Sequence, residues 1–316
     1  MLSRVAERVY WLARYLERAE NTARLMNVYS NLLLDFPRGT KIGWHTLIDV
    51  AGVKEEFGAN ERVADERAVV KFLLADNNGQ SILSMLSMVR ENARTTREII
   101  PSEAFEQINN LYLHTKENAA PGLSRGPRNR LLEEIIVGCQ QLNGLLTGSL
   151  SHNHVHRFLR IGRCLERADM TTRIVEVGSV NLLPNMSNVA GAEDEALKPY
   201  QDTMWMSVLR SLSAYQMYRQ HVQDRVNGKN VVEYLLQDEQ FPRALSYCLI
   251  RVENCLLDLT NNKAAVQQVA RTLRKGQRAN ITKLVSEGLF EYIDDLQIEI
   301  AKIHVQIART WFLPQS

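Results

Sequence analysis

The side chains best equipped for chemistry fall into two matching sets. Arg14, Glu17, Arg18 and Arg24 lie near the start, and Arg163, Glu166, Arg167 and Arg173 lie just past the midpoint. A carboxylate beside guanidinium groups can serve in two ways. It can move a proton as general acid or base. Alternatively, the guanidinia can outnumber it and hold a carboxylate or phosphate guest in forked hydrogen bonds. The two uses conflict, because arginines keep a carboxylate ionised and make it a poor base near neutral pH. Six arginines set against Glu17 and Glu166 favour the second use.

Both sets must sit on helices. Val5, Val9, Leu12, Leu16, Ala19 and Ala23 form one apolar stripe at helical spacing, and Phe158, Ile161, Leu165, Ala168 and Thr172 form another. At ~100° per residue, Arg14, Glu17, Arg18, Asn21 and Arg24 gather opposite the first stripe. Arg163, Glu166, Arg167 and Arg173 do the same opposite the second, with Met170 in place of Asn21. Three arrangements are open: a solvated salt-bridged face, two faces lining a shared anion cleft, or two clusters neutralising one another in a buried network that fixes their docking.

The match between the sets is a repeat. Leu16-Glu17-Arg18-Ala19-Glu20-Asn21-Thr22-Ala23-Arg24 recurs as Leu165-Glu166-Arg167-Ala168-Asp169-Met170-Thr171-Thr172-Arg173, an offset of 149 residues. A second echo sets Val69-Val70-Lys71-Phe72-Leu73-Leu74-Ala75-Asp76 against Val231-Val232-Glu233-Tyr234-Leu235-Leu236-Gln237-Asp238, an offset of 162. The extra 13 residues fit the stretch 178–200, whose Pro184, Gly191 and Pro199 mark a connection. These offsets predict two tandem halves, 1–150 and 151–316, packed as one body. The fold class expected is all-α, a helical bundle of two pseudo-repeated sub-bundles.

Helices are expected at 62–75, 81–99, 102–118 and 128–150. In the second half they are expected near 156–178, 203–226, 229–237, 242–262, 264–275 and 278–312. Ser102 and Thr203 suit N-caps and Pro242 a first helical turn, while loops are expected at 35–44, 119–128 and 178–200. No segment alternates as a strand does. A net charge of +2 selects neither nucleic acid nor membrane. No apolar run approaches the ~20 residues of a membrane helix. Cys139, Cys164, Cys248 and Cys255 lack C-x-x-C spacing and read as buried thiols in a reducing compartment. A cytoplasmic location follows as an expectation.

The opening, Met1-Leu2-Ser3-Arg4-Val5-Ala6-Glu7, Tyr10-Trp11-Leu12 and Arg14 through Asn21, resembles the bacterial alpha-E domain family. So do Arg90-Glu91-Asn92-Ala93-Arg94, Phe158-Leu159-Arg160-Ile161-Gly162-Arg163 and Phe241-Pro242-Arg243. The resemblance covers essentially the whole chain. Its motif-matched positions are Glu17, Arg18, Glu166 and Arg167. It implies a helical protein whose genes neighbour circularly permuted ATP-grasp ligases and transglutaminase-like proteases, in a system that makes amide bonds. The expectation is an accessory partner of the ATP-grasp ligase, carrying an Arg/Glu anion cleft. The alternatives are an enzyme using Glu17 or Glu166 as acid/base, and a purely structural scaffold.

Other features carry less. His152 and His156 share a helical face at a spacing compatible with metal, but histidines at a helix start are more often surface groups, so no metal site is expected. Glu17, Glu20, Glu166 and Asp169 lack the Glu-x-x-His pairs of a di-metal bundle. Arg90 to Arg94 form a second polar cluster that could face the first. Arg271, Arg274, Lys275 and Arg278, and Arg125, Arg128 and Arg130, are basic patches without interleaved aromatics, so no nucleic-acid partner is expected. Trp205, Met206, Leu209, Leu212 and Tyr215 read as core. No phosphate loop or nucleophile elbow occurs, and no cofactor is expected. The oligomeric state has no signal in the sequence.

Overall fold

Helices follow one another along the whole of the computed structural model, which describes residues 3–35, 43–58, 65–182 and 201–313. The first series is α1 (Ser3–Asp35), α2 (His45–Ala51), α3 (Lys54–Gly58), α4 (Glu66–Leu74), α5 (Ile82–Arg94), α6 (Ser102–Asn118) and α7 (Arg125–Ser149). Then come α8 (His154–Leu182), α9 (Gln201–Ser211), α10 (Tyr215–Val222), α11 (Gly228–Gln237) and α12 (Leu245–Leu257). The last are α13 (Lys263–Gln277), α14 (Ile281–Ser286) and α15 (Leu289–Ile307), with a π-turn at Ala308–Phe312. Among the described residues there is no strand, and the fold is all-α.

The two longest helices form the centre. α1 packs on α5, α7 and α8, and α8 packs on α1, α12 and α15. Side-chain pairs between α1 and α8 keep separations of 148 to 152 residues, so the two run side by side in the same direction. Their apolar stripes are buried outward, against the surrounding helices: Val9, Leu12, Leu16, Ala19 and Ala23 on one, Phe158, Ile161, Leu165 and Ala168 on the other. Both central helices are therefore enclosed nearly all round, charged sides included.

Small residues permit the close approach. A Cβ placed on Gly162 would lie 2.4 Å from the Tyr10 carbonyl oxygen and 3.4 Å from the Ala13 Cβ. Only glycine lets the backbones meet at that distance. The crossing also sets the depth at which the charged side chains, one and two turns further along, face each other.

Several boundaries differ from the sequence reading, each for a local reason. The helix expected over 203–226 is two, parted where Ser213 turns left-handed (φ 53°), and the second stops where Gln223 does the same (φ 51°). Thr203 is not a cap, since α9 begins at Gln201. The helix expected over 278–312 breaks at Glu287, which is extended, and restarts from Gly288 at φ +81°. Pro242 stands before its helix, and Ala244 caps α12. Pro101 takes the cap position expected of Ser102. α8 continues through Gly178, whose missing side chain makes room for Val208 and Trp205. The rest of the connection, 183–200, lies outside the described residues, as do 36–42 of the first loop and 59–64. α2 and α3 were not expected. They are too short for periodicity to mark them.

Gly162→Ala should lower stability by about 1–3 kcal/mol in denaturant titration, because its Cβ must push two backbones apart. Gly144→Ala, where nothing lies within 4 Å, should instead raise it by about 0.5–1 kcal/mol. Equal effects at both positions would contradict the close crossing.

Candidate functional site

With their apolar stripes taken by the outer helices, α1 and α8 turn their charged sides to each other. The carboxylates exchange partners across the interface. Glu166 accepts from Arg14 Nε at 2.6 Å, from Arg18 Nε at 2.5 Å and from Arg18 Nη2 at 3.1 Å. Reciprocally, Glu17 Oε1 accepts from Arg167 Nε at 2.8 Å. Glu17 and Glu166 are 0% and 1% exposed, so both carboxylates are buried in the interface.

A third helix boundary joins in. Arg243, just before α12, places Nη1 2.8 Å from Glu17 Oε1 and 2.5 Å from Asn21 Oδ1. Its Nη2 donates to Glu20 Oε1 at 2.9 Å, which also receives Arg24 at 2.7 Å. Thr171 on α8 holds the Arg243 carbonyl at 2.7 Å. Behind Arg14 the network continues outward. Arg14 Nη1 donates to Tyr10 Oη at 3.2 Å, and Tyr10 Oη lies 2.9 Å from His304 Nδ1 on α15.

Burial alone would raise the Glu166 carboxyl, but Arg18 and Arg14 outweigh it and hold the group down at about 2. Glu17 is likewise buried, and Arg167 and Arg243 bring it below the ordinary range. Burial works against the Arg14 and Arg167 cations too, yet Tyr10 and Glu166, and Glu17, raise them. Burial keeps Cys139, beside Glu20 and Glu17, firmly a thiol. The arrangement is a set of fixed charges. Neither Glu17 nor Glu166 is poised to move a proton near neutral pH.

The candidates do not all join the network. Arg163, the register mate of Arg14, instead reaches Thr147 at 3.2 Å. Its place beside Glu17 is taken by Arg243. Arg24 and Arg173 pair within their own helices, with Glu20 and Asp169. His152 and His156 stack with ring centroids 4.2 Å apart, and among the described residues no three ligating side chains gather for a metal. Arg90 does not face the motif. It donates to Asn109 on α6 at 2.8 Å, and Arg94 pairs with Glu91. The four cysteines are buried and unpaired. Arg243 and His304 are the residues that spacing alone does not reveal, since they arrive from distant parts of the chain.

Beside Glu166 the interface opens into a cavity of about 160 Å³, between the end of α2, the start of α5 and the charged sides of α1 and α8. Arg18, Gln80, Asp169 and Arg173 line it. The Arg173 guanidinium rests on Gly52, where a Cβ would come within 2.1 Å of Nη1. Gly52 ends α2 at φ +68°, a conformation that glycine adopts without strain.

Comparison with known sequences places a family match over this whole arrangement. The Alpha-E family model, described as a predicted alpha-helical domain with a conserved ER motif, matches residues 1–312. Uncharacterised proteins of Mycobacterium bovis and of Mycobacterium tuberculosis strains CDC 1551 and H37Rv are each 22% identical over 329 aligned residues. The match takes in 96% of this chain but 35% of each relative, so the chain spans about a third of their length. No solved structure matches. Among the described residues no helix is long and apolar enough to cross a membrane.

The depressed Glu166 carboxyl dictates an acid response. Its stabilisation is complete above its ordinary value of 4.5 and is lost as pH falls from there toward about 2, roughly 3 kcal/mol at ~1.4 kcal/mol per unit. His156 and His304, each held neutral to about 4 by burial first, remove further stability between about pH 6.5 and 4, where their unfolded rings protonate. Glu166→Gln should flatten the lower window and cost about 3–5 kcal/mol at neutral pH, by leaving Arg14 and Arg18 uncompensated. Urea titrations from pH 7 to 2.5 measure both, and an unchanged slope below pH 4.5 in the variant would refute the assignment.

Proposed function

The chain belongs to the Alpha-E family, and on that premise we propose that it is an accessory helical partner of an ATP-grasp amide ligase, with an anion site on its Arg/Glu interface. The observation that carries this reading is the pairing of both motif glutamates with arginines across the helix interface. Glu17 and Glu166 each accept from two arginines and lie out of contact with solvent. A general base needs a pKa near the working pH, and the arginines hold both groups below the ordinary carboxylate range. This weighs against the alternative of an enzyme using Glu17 or Glu166 as acid or base.

Two further points support partnership. The mycobacterial relatives carry the matching region within a polypeptide nearly three times as long, so there the helical region works joined to other sequence. The transglutaminase-like protease of the same system is a second partner class under this reading. The repeated motif also fits a duplicated ancestor. Among the described residues, a long helix followed by shorter ones begins at both Ser3 and His154, and the halves 1–150 and 151–316 are our assignment of two copies.

Co-expression with a circularly permuted ATP-grasp ligase from the same genome, followed by size-exclusion chromatography and an amide-formation assay, tests the proposal. The expected result is co-elution and ligase turnover at least tenfold higher with the helical protein than without. Separate elution with unchanged turnover would sink it. The isolated chain should form no product, and product formation abolished by Glu17→Gln would establish the enzyme instead.

A further inference from the structure

We propose that the cavity beside Glu166 binds a monocarboxylate, the carboxylate end of an amino acid or short peptide, gripped by Arg18 and Arg173. This deepens the anion-site reading above and rests on it. The correspondence between the two motif regions breaks at one position. At the 149-residue offset, Glu17, Glu20 and Asn21 correspond to Glu166, Asp169 and Met170; at the 162-residue offset, Ser81 corresponds to Arg243. Arg243 fills the space against Glu17, Glu20 and Asn21. Ser81 is too short to do the same and instead caps α5, its Oγ accepting from Ser84 N at 3.1 Å. The space against Glu166, Asp169 and Met170 therefore stays open, and it is the cavity of about 160 Å³.

Charge decides what that space can take. Around Glu17 and Glu20 stand Arg167, Arg24 and Arg243, two negative charges against three positive. Around Glu166 and Asp169 stand Arg18, Arg173 and Arg14, the same balance. The third arginine of the second group reaches Glu166 from within α1 and not through the cavity. The cavity thus lacks no cation. A guest guanidinium would raise the local excess to two positive charges, whereas a monoanion would cancel it.

The donors are also in place. Arg18 spends Nε and Nη2 on Glu166, and Arg173 spends Nε on Asp169. Nη1 of Arg18 and both Nη atoms of Arg173 remain, on side chains 24% and 29% exposed and so within reach of a guest. Two such planar groups suit the forked recognition of a carboxylate. The volume equals about five waters at ~30 Å³ each, room for a head group and not for a nucleotide. Asp169 lines the same space. It would repel a phosphate dianion, and it offers Oδ1 to the ammonium or amide N–H of an amino acid or peptide.

The test titrates the full chain with acetate, glycylglycine, inorganic phosphate and methylguanidinium, following arginine Nε–Hε signals by NMR and heat by calorimetry. Acetate and glycylglycine should shift Arg18 and Arg173 in a saturable manner, glycylglycine binding more tightly. Arg173→Ala and Gly52→Ala should each weaken both at least tenfold, while Gly144→Ala leaves binding unchanged. If Arg173→Ala fails to fold, Arg173→Lys keeps the charge, removes the fork and should still weaken binding several-fold. Saturation by methylguanidinium alone, tighter binding of phosphate than of glycylglycine, or no saturable shift with any probe would each overturn the proposal. Absent binding with retained ligase co-elution would sink the cavity alone. Binding without co-elution would sink the partnership and leave the cavity standing.

Discussion

Everything in this molecule is arranged around a swap of buried charges between two parallel helices. Each central helix gives a carboxylate to the other's arginines. Such pairs need not add net stability, since removing charges from water costs several kcal/mol per ion and good geometry only offsets it. They do impose an exacting condition. A shift of α1 against α8 by a single residue would strand Glu17 and Glu166 without partners in a dry interior. The apolar stripes on the opposite sides of the same helices tolerate such slippage far better, because burial of hydrocarbon is non-directional. The swap therefore sets the register, and the surrounding helices supply most of the favourable burial.

The condition explains why the glutamates are structural while their neighbours stay available. A carboxylate that fixes register must be ionised and paired with cations, and these are the properties that disqualify it as a proton carrier. An arginine offers five donors and can fix a partner with some while keeping others free. Arg14 spends its donors inward, on Glu166 and Tyr10. Arg18 and Arg173 stand at the edge and do not spend all of theirs. Any ligand chemistry on this interface therefore belongs to the guanidinium side of the motif.

Much of this was legible from residue order. The doubled Glu-Arg phrase names Glu17, Arg18, Glu166 and Arg167, and helical spacing places each opposite an apolar stripe. Spacing could not say whether those sides met water or each other, because a buried charged face and a solvated one read alike along a helix. Nor could it find Arg243 as a partner of Glu17, since the two lie more than 220 residues apart. Arg163 shows the converse. It matches Arg14 in the repeat yet turns to Thr147, its role beside Glu17 taken by Arg243. Helix ends were misplaced where Ser213 and Gln223 adopt left-handed backbone, a conformation their side chains do not announce.

The same-direction pairing of α1 and α8 has a consequence during synthesis. Neighbouring antiparallel helices can close as soon as both have left the ribosome, but here the partners of Arg14, Glu17 and Arg18 lie 148 to 152 residues downstream. At ~5–20 residues per second, that is roughly seven to thirty seconds of translation. Throughout that interval the nascent first helix must keep its ionic side hydrated and its final seat vacant. The centre of the molecule is thus among the last places to form, and the outer helices assemble around a gap that only the later chain can fill.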